Sequence, residues 1–94
     1  MQEQELKEKV GKNIKFFRFR RQLSQADLAE KAQISITSLS DIERGNNFPQ
    51  AKTLCNLAQA LDVEVWSLFS STEFAGCYPE PIPYIVGNSL LPMK

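Results

Sequence analysis

With 94 residues the chain has room for one domain and one modest core, since a chain of this size buries only about two-thirds of the surface it exposes when unfolded. Hydrophobic residues at 43% and charged residues at 23% argue against wholesale disorder, and two cysteines with no histidine are too few soft ligands for a four-ligand zinc site, so neither metal nor cofactor is expected. The formal net charge is zero, yet between Lys7 and Lys52 ten basic residues stand against five acids, which leaves the folded middle locally positive.

From the N-terminus, Leu6, Val10, Ile14 and Phe17 recur at helical spacing and predict an amphipathic first helix to about Arg21, with the lysines on its opposite side. Phe16 and Phe19 fall on the side that does not carry Ile14 and Phe17. They form surplus aromatic surface, a candidate for a dimer contact or for docking of the C-terminal segment. A second helix restarts at Ser24, an N-cap with Asp27 at the capping-box position and with Leu23 and Leu28 as a hydrophobic staple, and ends near Lys31 or Ala32. Ten residues on, Ser35 caps a third helix with Ile34 and Leu39 at the staple positions, so the two helices are joined by a tight turn. The third helix ends at Arg44 and Gly45, where glycine takes the left-handed conformation that stops a helix, and a loop follows to Pro49.

A fourth helix from about Ala51 places Leu54, Leu57, Ala58 and Leu61 on one face, and Cys55 within this apolar pattern reads as a small core residue. A short fifth helix with Val65, Trp66, Leu68 and Phe69 closes a five-helix core. Beyond Ser70, Pro79, Pro81, Pro83 and Pro92 rule out a long helix, although Ile82, Tyr84, Ile85 and Val86 suit a short extended piece. The expected architecture is all-α: a five-helix domain over residues 5–70 followed by a proline-rich tail over 71–94, which docks on helix one or on a dimer partner. There is no charged-then-apolar leader and no apolar run near the length of a membrane span, so a cytoplasmic protein with no membrane partner is expected.

On the third helix, Ser35, Leu39, Ile42 and Glu43 cluster on one side while Thr37, Asp41 and Arg44 lie opposite and Ser40 flanks them. One face packs and the other is small and polar. Two capped helices around a tight turn hold such a helix proud of the surface, where it can enter a groove about 12 Å wide. The residues that carry this pattern resemble those of the phage-repressor-like helix-turn-helix domains, the Cro/C1-type or XRE family. The match runs from Val10 and Gly11 through Ile14, Arg18, Leu23 to Gln25, Leu28, Ala29, Ala32, Ile34, Ser35, Leu39, Ile42 to Gly45, Pro49, Leu54, Leu57, Ala58 and Ala60 to Val63.

The resemblance implies a five-helix repressor-like fold and particular roles. Ile36, Thr37, Ser38, Ser40 and Asp41 fall where the family presents base-reading side chains. By chemistry, the hydroxyls of Thr37 and Ser38 suit base edges, Ile36 a thymine methyl and Asp41 a cytosine amino group. Ser24 and Gln25 at the start of helix two, with Arg44, Asn46, Asn47 and Lys52, correspond to positions that meet phosphates. Arg18 and Glu43 resemble the family's buried ion pair. Gln33, Gln22 and Asp62 stand where the family often has glycine, so positive φ at non-glycine residues is expected there.

The function implied is sequence-specific binding of double-stranded DNA by a transcriptional regulator, a repressor acting as a homodimer on a palindromic operator. A competing expectation is an antitoxin or adaptor whose tail binds a partner protein and whose DNA binding is secondary. No enzyme is expected, because the chain has no histidine, no glycine-rich phosphate loop and no nucleophile beside a base.

Overall fold

A computed structural model describes residues 2–70. They form four α-helices, α1 (Glu3–Arg20), α2 (Gln25–Ala32), α3 (Ile36–Glu43) and α4 (Ala51–Leu61), followed by a 3-10 helix at Val65–Phe69. The expectations for the tail, residues 71–94, lie outside the described residues. Among those described there is no strand, and no helix is long and apolar enough to cross a membrane.

Each helix stops where its sequence directs. In all four, the chain turns through a left-handed residue, Gln22 (φ 58°), Gln33 (φ 64°), Gly45 (φ 81°) and Asp62 (φ 60°). The N–H of the next residue reaches back five positions: Leu23 to Arg18, Ile34 to Ala29, Asn46 to Asp41 and Val63 to Ala58, at 2.9–3.1 Å. This bond satisfies a carbonyl that the helix end would otherwise orphan. Leu23, Ile34 and Val63 pack partly buried against the core, supplying the hydrophobic contact that accompanies such stops. The expected positive φ at the three non-glycine positions is therefore observed.

The core is built from Val10 and Ile14 of α1, Leu28, Ala29 and Ala32 of α2, Leu39 and Ile42 of α3, Leu57, Ala58 and Leu61 of α4, and Leu68. Each large aliphatic side chain buried this way contributes roughly 1.5–3 kcal/mol. α1 crosses α3 so closely that a Cβ on Gly11 would lie inside contact distance of the Ile42 carbonyl oxygen and 2.8 Å from that of Glu43. Only glycine fits there. Gly45, left-handed and hard against Glu8 of α1, needs glycine for both reasons.

Two sequence expectations need correcting. The fifth element is a 3-10 helix of five residues, and a segment this short turns one large side chain inward: Leu68 is fully buried, whereas Val65, Trp66 and Phe69 are 37%, 69% and 38% exposed. Cys55 is exposed on the outside of α4, because it lies about 100° around the helix from Leu54 and away from the inward row through Leu57 and Leu61. One polar side chain goes the other way. Asn13 of α1 is fully buried and donates from Nδ2 to the carbonyls of Leu68 and Ser70, each at 2.6 Å, which ties the end of the 3-10 helix to α1.

Candidate nucleic-acid interface

α2 and α3 are joined by Gln33, Ile34 and Ser35, and both begin with a serine cap. Ser24 Oγ accepts from the Asp27 N–H at 3.0 Å while Asp27 Oδ2 accepts from the Ser24 N–H at 3.1 Å, closing a reciprocal box. The Ser24 backbone N–H, then its hydroxyl, and more weakly the charge of Lys31 hold the Asp27 carboxyl below its ordinary range, against a small opposing effect of burial. With the Asp27 N–H taken by the cap, the N–H groups of Gln25 and Ala26 have no internal partner among the described residues. A helix start of this kind favours an anion. At α3, Ser35 Oγ accepts from the Ser38 N–H at 3.0 Å.

The inner face of α3 is fixed by Leu39, Ile42 and Glu43, all buried. Glu43 is held from two helices at once. Arg18 of α1 donates from Nε to Glu43 Oε2 at 2.7 Å and from Nη2 to Oε1 at 3.1 Å, and a third guanidinium bond runs from Nη1 to the Leu23 carbonyl at 3.0 Å. Gln25 of α2 donates from Nε2 to Glu43 Oε1 at 2.9 Å. Three helices thus meet on one carboxylate, and the guanidinium and amide bonds to it offset the cost of burying its charge. The Gln25 amide nitrogen carries a second N–H, so this side chain and the backbone N–H groups at the start of α2 are both donors for a phosphate oxygen.

With the inner face anchored, the outer face is presented to solvent. Ile36 is 51% exposed, Thr37 and Ser38 are exposed, and Ser40 and Asp41 are half-buried. Ser24, Arg44, Asn46, Asn47 and Lys52 are exposed and Gln25 is half-buried, so the residues expected to meet base edges and those expected to meet phosphates all reach solvent at least in part. The side chains at the C-terminal end of α3 are already engaged with one another. Arg44 donates from Nη2 to Asp41 Oδ1 at 2.5 Å and from Nη1 to Ser40 Oγ, and Asn47 Nδ2 lies 3.5 Å from Asp41 Oδ2. Sequence reasoning took Ser40, Asp41, Arg44 and Asn47 one at a time and missed this cluster. The signal was there, since Asp41 and Arg44 stand three apart and Ser40 and Arg44 four apart on one helix. It likewise missed the bond from Gln25 to Glu43, which spans 18 positions and leaves no local trace.

Phe16 and Phe19 differ in surroundings. Phe19 is 60% exposed, with the Arg18 guanidinium 4.7 Å above its ring and Lys15 Nζ at 6.0 Å. Phe16 is half-buried, edge-on to Phe17 at 5.3 Å, with the Arg20 guanidinium 5.7 Å from its ring. Cations of the same helix therefore cap part of this aromatic surface. Trp66 and Phe69, expected in the core, are 69% and 38% exposed, and Phe69 lies edge-on to Phe48 of the loop with ring centroids 6.3 Å apart. No group of side chains among the described residues is arranged to hold a metal ion.

Comparison with known proteins extends this geometry. Residues 11–70 match a family described as a helix-turn-helix domain. The chain is 33% identical over 88 residues to the HTH-type transcriptional regulator DdrOP3 of Deinococcus deserti, covering 88% of this chain and 68% of that one. It is 46% identical over 56 residues to the immunity repressor protein of Bacillus phage phi105, covering 60% of this chain but only 39% of the repressor's length. Among solved structures, the restriction-modification controller protein C.AhdI from Aeromonas hydrophila is similar with a TM-score of 0.65 at 30% identity, over 67% of this chain and 96% of that one. The clp gene regulator ClgR from Corynebacterium glutamicum is similar with a TM-score of 0.67 at 30% identity, over 76% of this chain and 73% of that one.

Proposed function

The chain belongs to the helix-turn-helix family of the Cro/C1 (XRE) type, DNA-binding regulators of transcription, and from that premise we propose that it represses transcription as a homodimer on a palindromic operator. The observation that carries this reading is the two-sidedness of α3. Leu39, Ile42 and Glu43 lock its back to the body while Ile36, Thr37 and Ser38 stand exposed on its front. Those three, with Ser40 and Asp41, read base edges in the major groove, and Ser24, Gln25, Arg44, Asn46, Asn47 and Lys52 set the position on the backbone.

None of the five base-reading residues is an arginine or glutamine able to make the strongest bidentate base contacts, and Arg44 beside them is assigned to the backbone, so one copy discriminates weakly. Two copies related by a two-fold axis, with recognition helices about 34 Å apart, square the discrimination and require a symmetric site. The exposed apolar surfaces at Phe19 and Trp66, with half-buried Phe16 beside the former, are the candidates for that pairing. The name of the phage relative, an immunity repressor, favours repression over activation, and a cytoplasmic setting belongs to the same reading.

Selection of bound duplexes from a random pool, followed by titration at several salt concentrations, tests it. The expected result is an inverted repeat whose half-sites are one helical turn apart. With Arg44 and Lys52 from each of two protomers, the slope of log K against log salt should be about −3.6. Failure to prefer any duplex, or an asymmetric single site, would sink the proposal.

A further inference from the structure

The one acidic side chain on the outer face of α3 has both carboxylate oxygens engaged by groups assigned to the DNA backbone. Asp41 Oδ1 accepts from Arg44 Nη2 at 2.5 Å and Oδ2 faces Asn47 Nδ2 at 3.5 Å, while Arg44 Nη1 is held by Ser40 Oγ. Arg44 is 57% exposed and Asp41 28% exposed, so the pair sits at the surface, in reach of a duplex. In the free protein this end of α3 is thus electrically neutral, and its arginine fork is turned along the helix toward Ser40 and Asp41.

We propose that Asp41 is a specificity-determining residue that acts by withholding Arg44 and Asn47 from the DNA backbone until a base-edge amino group takes over its carboxylate. The inference rests on the DNA-binding reading and adds a mechanism to it. On a duplex of arbitrary sequence, moving Arg44 to a phosphate would strand the Asp41 carboxylate unpaired against a polyanion. The pair therefore stays closed, and the protein binds without that contact. Where a major-groove amino group lies opposite Asp41, the carboxylate gains a new donor and Arg44 is released to the adjacent phosphate. Base reading and backbone binding become one coupled event.

The amino group is that of cytosine. Adenine also offers an amino group in the major groove, but beside it stands the N7 lone pair, which repels a carboxylate, whereas the neighbour of the cytosine amino group is a C–H. The side chain that weakens binding to most sequences is in this way the one that rewards the right sequence, so its contribution is to the ratio of affinities rather than to either alone.

The test compares wild type, Asp41→Asn, Arg44→Gln and the double variant on the selected operator, on an operator with the predicted cytosine replaced, and on random duplex, each across a salt series. Circular-dichroism melts verify that all four proteins are folded. For wild type the salt slope on random duplex should be shallower than on the operator by about 0.9 per protomer, one phosphate contact. Asp41→Asn should abolish that difference, raise affinity for random duplex about tenfold and lose the preference for cytosine over adenine at one position of each half-site. With Arg44→Gln already present, Asp41→Asn should leave the slope on random duplex unchanged. If the asparagine variant alters that slope equally with and without Arg44, Asp41 acts by direct repulsion and the coupling is refuted. Unchanged slopes and preference in the single variant refute the inference while leaving the function intact. Absence of wild-type binding to every duplex refutes the function itself, and the inference with it.

Discussion

Arg18 shows how much one residue does here. Its guanidinium makes two buried bonds to Glu43 and a part-buried one to the Leu23 carbonyl. Replacing Arg18 with methionine leaves the Glu43 carboxylate buried with only the Gln25 amide for company, and should cost about 3–5 kcal/mol by urea denaturation. That is a large fraction of the roughly 5–15 kcal/mol that keeps a domain folded. The double change Arg18→Met with Glu43→Leu should regain a large part of it, since no charge is then stranded. Asp27 gives the opposite, modest case. Its carboxyl titrates lower in the folded chain than in the unfolded one, so its cap stabilises fully above the unfolded value near pH 4 and is lost as pH falls through the folded value. Melts from pH 7 to pH 3 should show the advantage of wild type over Asp27→Asn shrinking only at the acid end. An advantage that is constant with pH would refute this assignment.

At the scale of elements, the stops and crossings determine where α3 points. A methyl group added at Gly11 meets two backbone carbonyl oxygens that no rotamer change can move, so α1 and α3 must separate. Gly11→Ala should lower stability by about 1–3 kcal/mol and weaken operator binding beyond what unfolding alone explains, which a comparison of active fraction with affinity would reveal. Gln33 works in reverse: its φ of 64° is strained for a glutamine, and Gln33→Gly should raise stability by about 1 kcal/mol, seen as a higher melting temperature. These elements were largely legible in the sequence because helix starts and stops are local. Ser24 with Asp27, Ser35 and the stop at Gly45 declare themselves locally, whereas the left-handed Gln22, Gln33 and Asp62 were expected only through the family resemblance. What lay hidden was decided at long range. Nothing near Asn13 in the sequence marks it out, yet it is buried against carbonyls 55 and 57 residues away. Cys55 and Trp66 were assigned inward since apolar residues in a helical run resemble core until the partner surfaces are known. The candidate site was legible as a set of positions, but the mutual engagement of Asp41 and Arg44 was not, because each side chain was matched to DNA before being matched to its neighbours.

For the molecule as a whole, the exposed aromatic side chains Phe19 and Trp66 are where a second copy would dock in the proposed dimer. Trp66, at 69%, is the most exposed large hydrophobic side chain among the described residues. If Trp66 lies in the pairing surface, Trp66→Ser should shift sedimentation toward the monomer and reduce operator binding while leaving the affinity for an isolated half-site unchanged. Loss of pairing on Phe19→Ser instead would place the interface on α1. Equal self-association in both variants would exclude both surfaces.

The convergence of α1, α2 and α3 on the Glu43 carboxylate, together with the glycine-only crossing at Gly11, has a mechanical consequence. α3 cannot tilt or slide without breaking a buried ion pair, so the protein behaves as a stiff die. Any mismatch between its shape and that of a site must be absorbed by the duplex, whose bending and groove width depend on sequence even where nothing touches it. On the proposed paired operator, base steps between the two half-sites should therefore alter affinity through compliance alone, and a nick or flexible step placed there should rescue sites that two rigid copies would fit poorly.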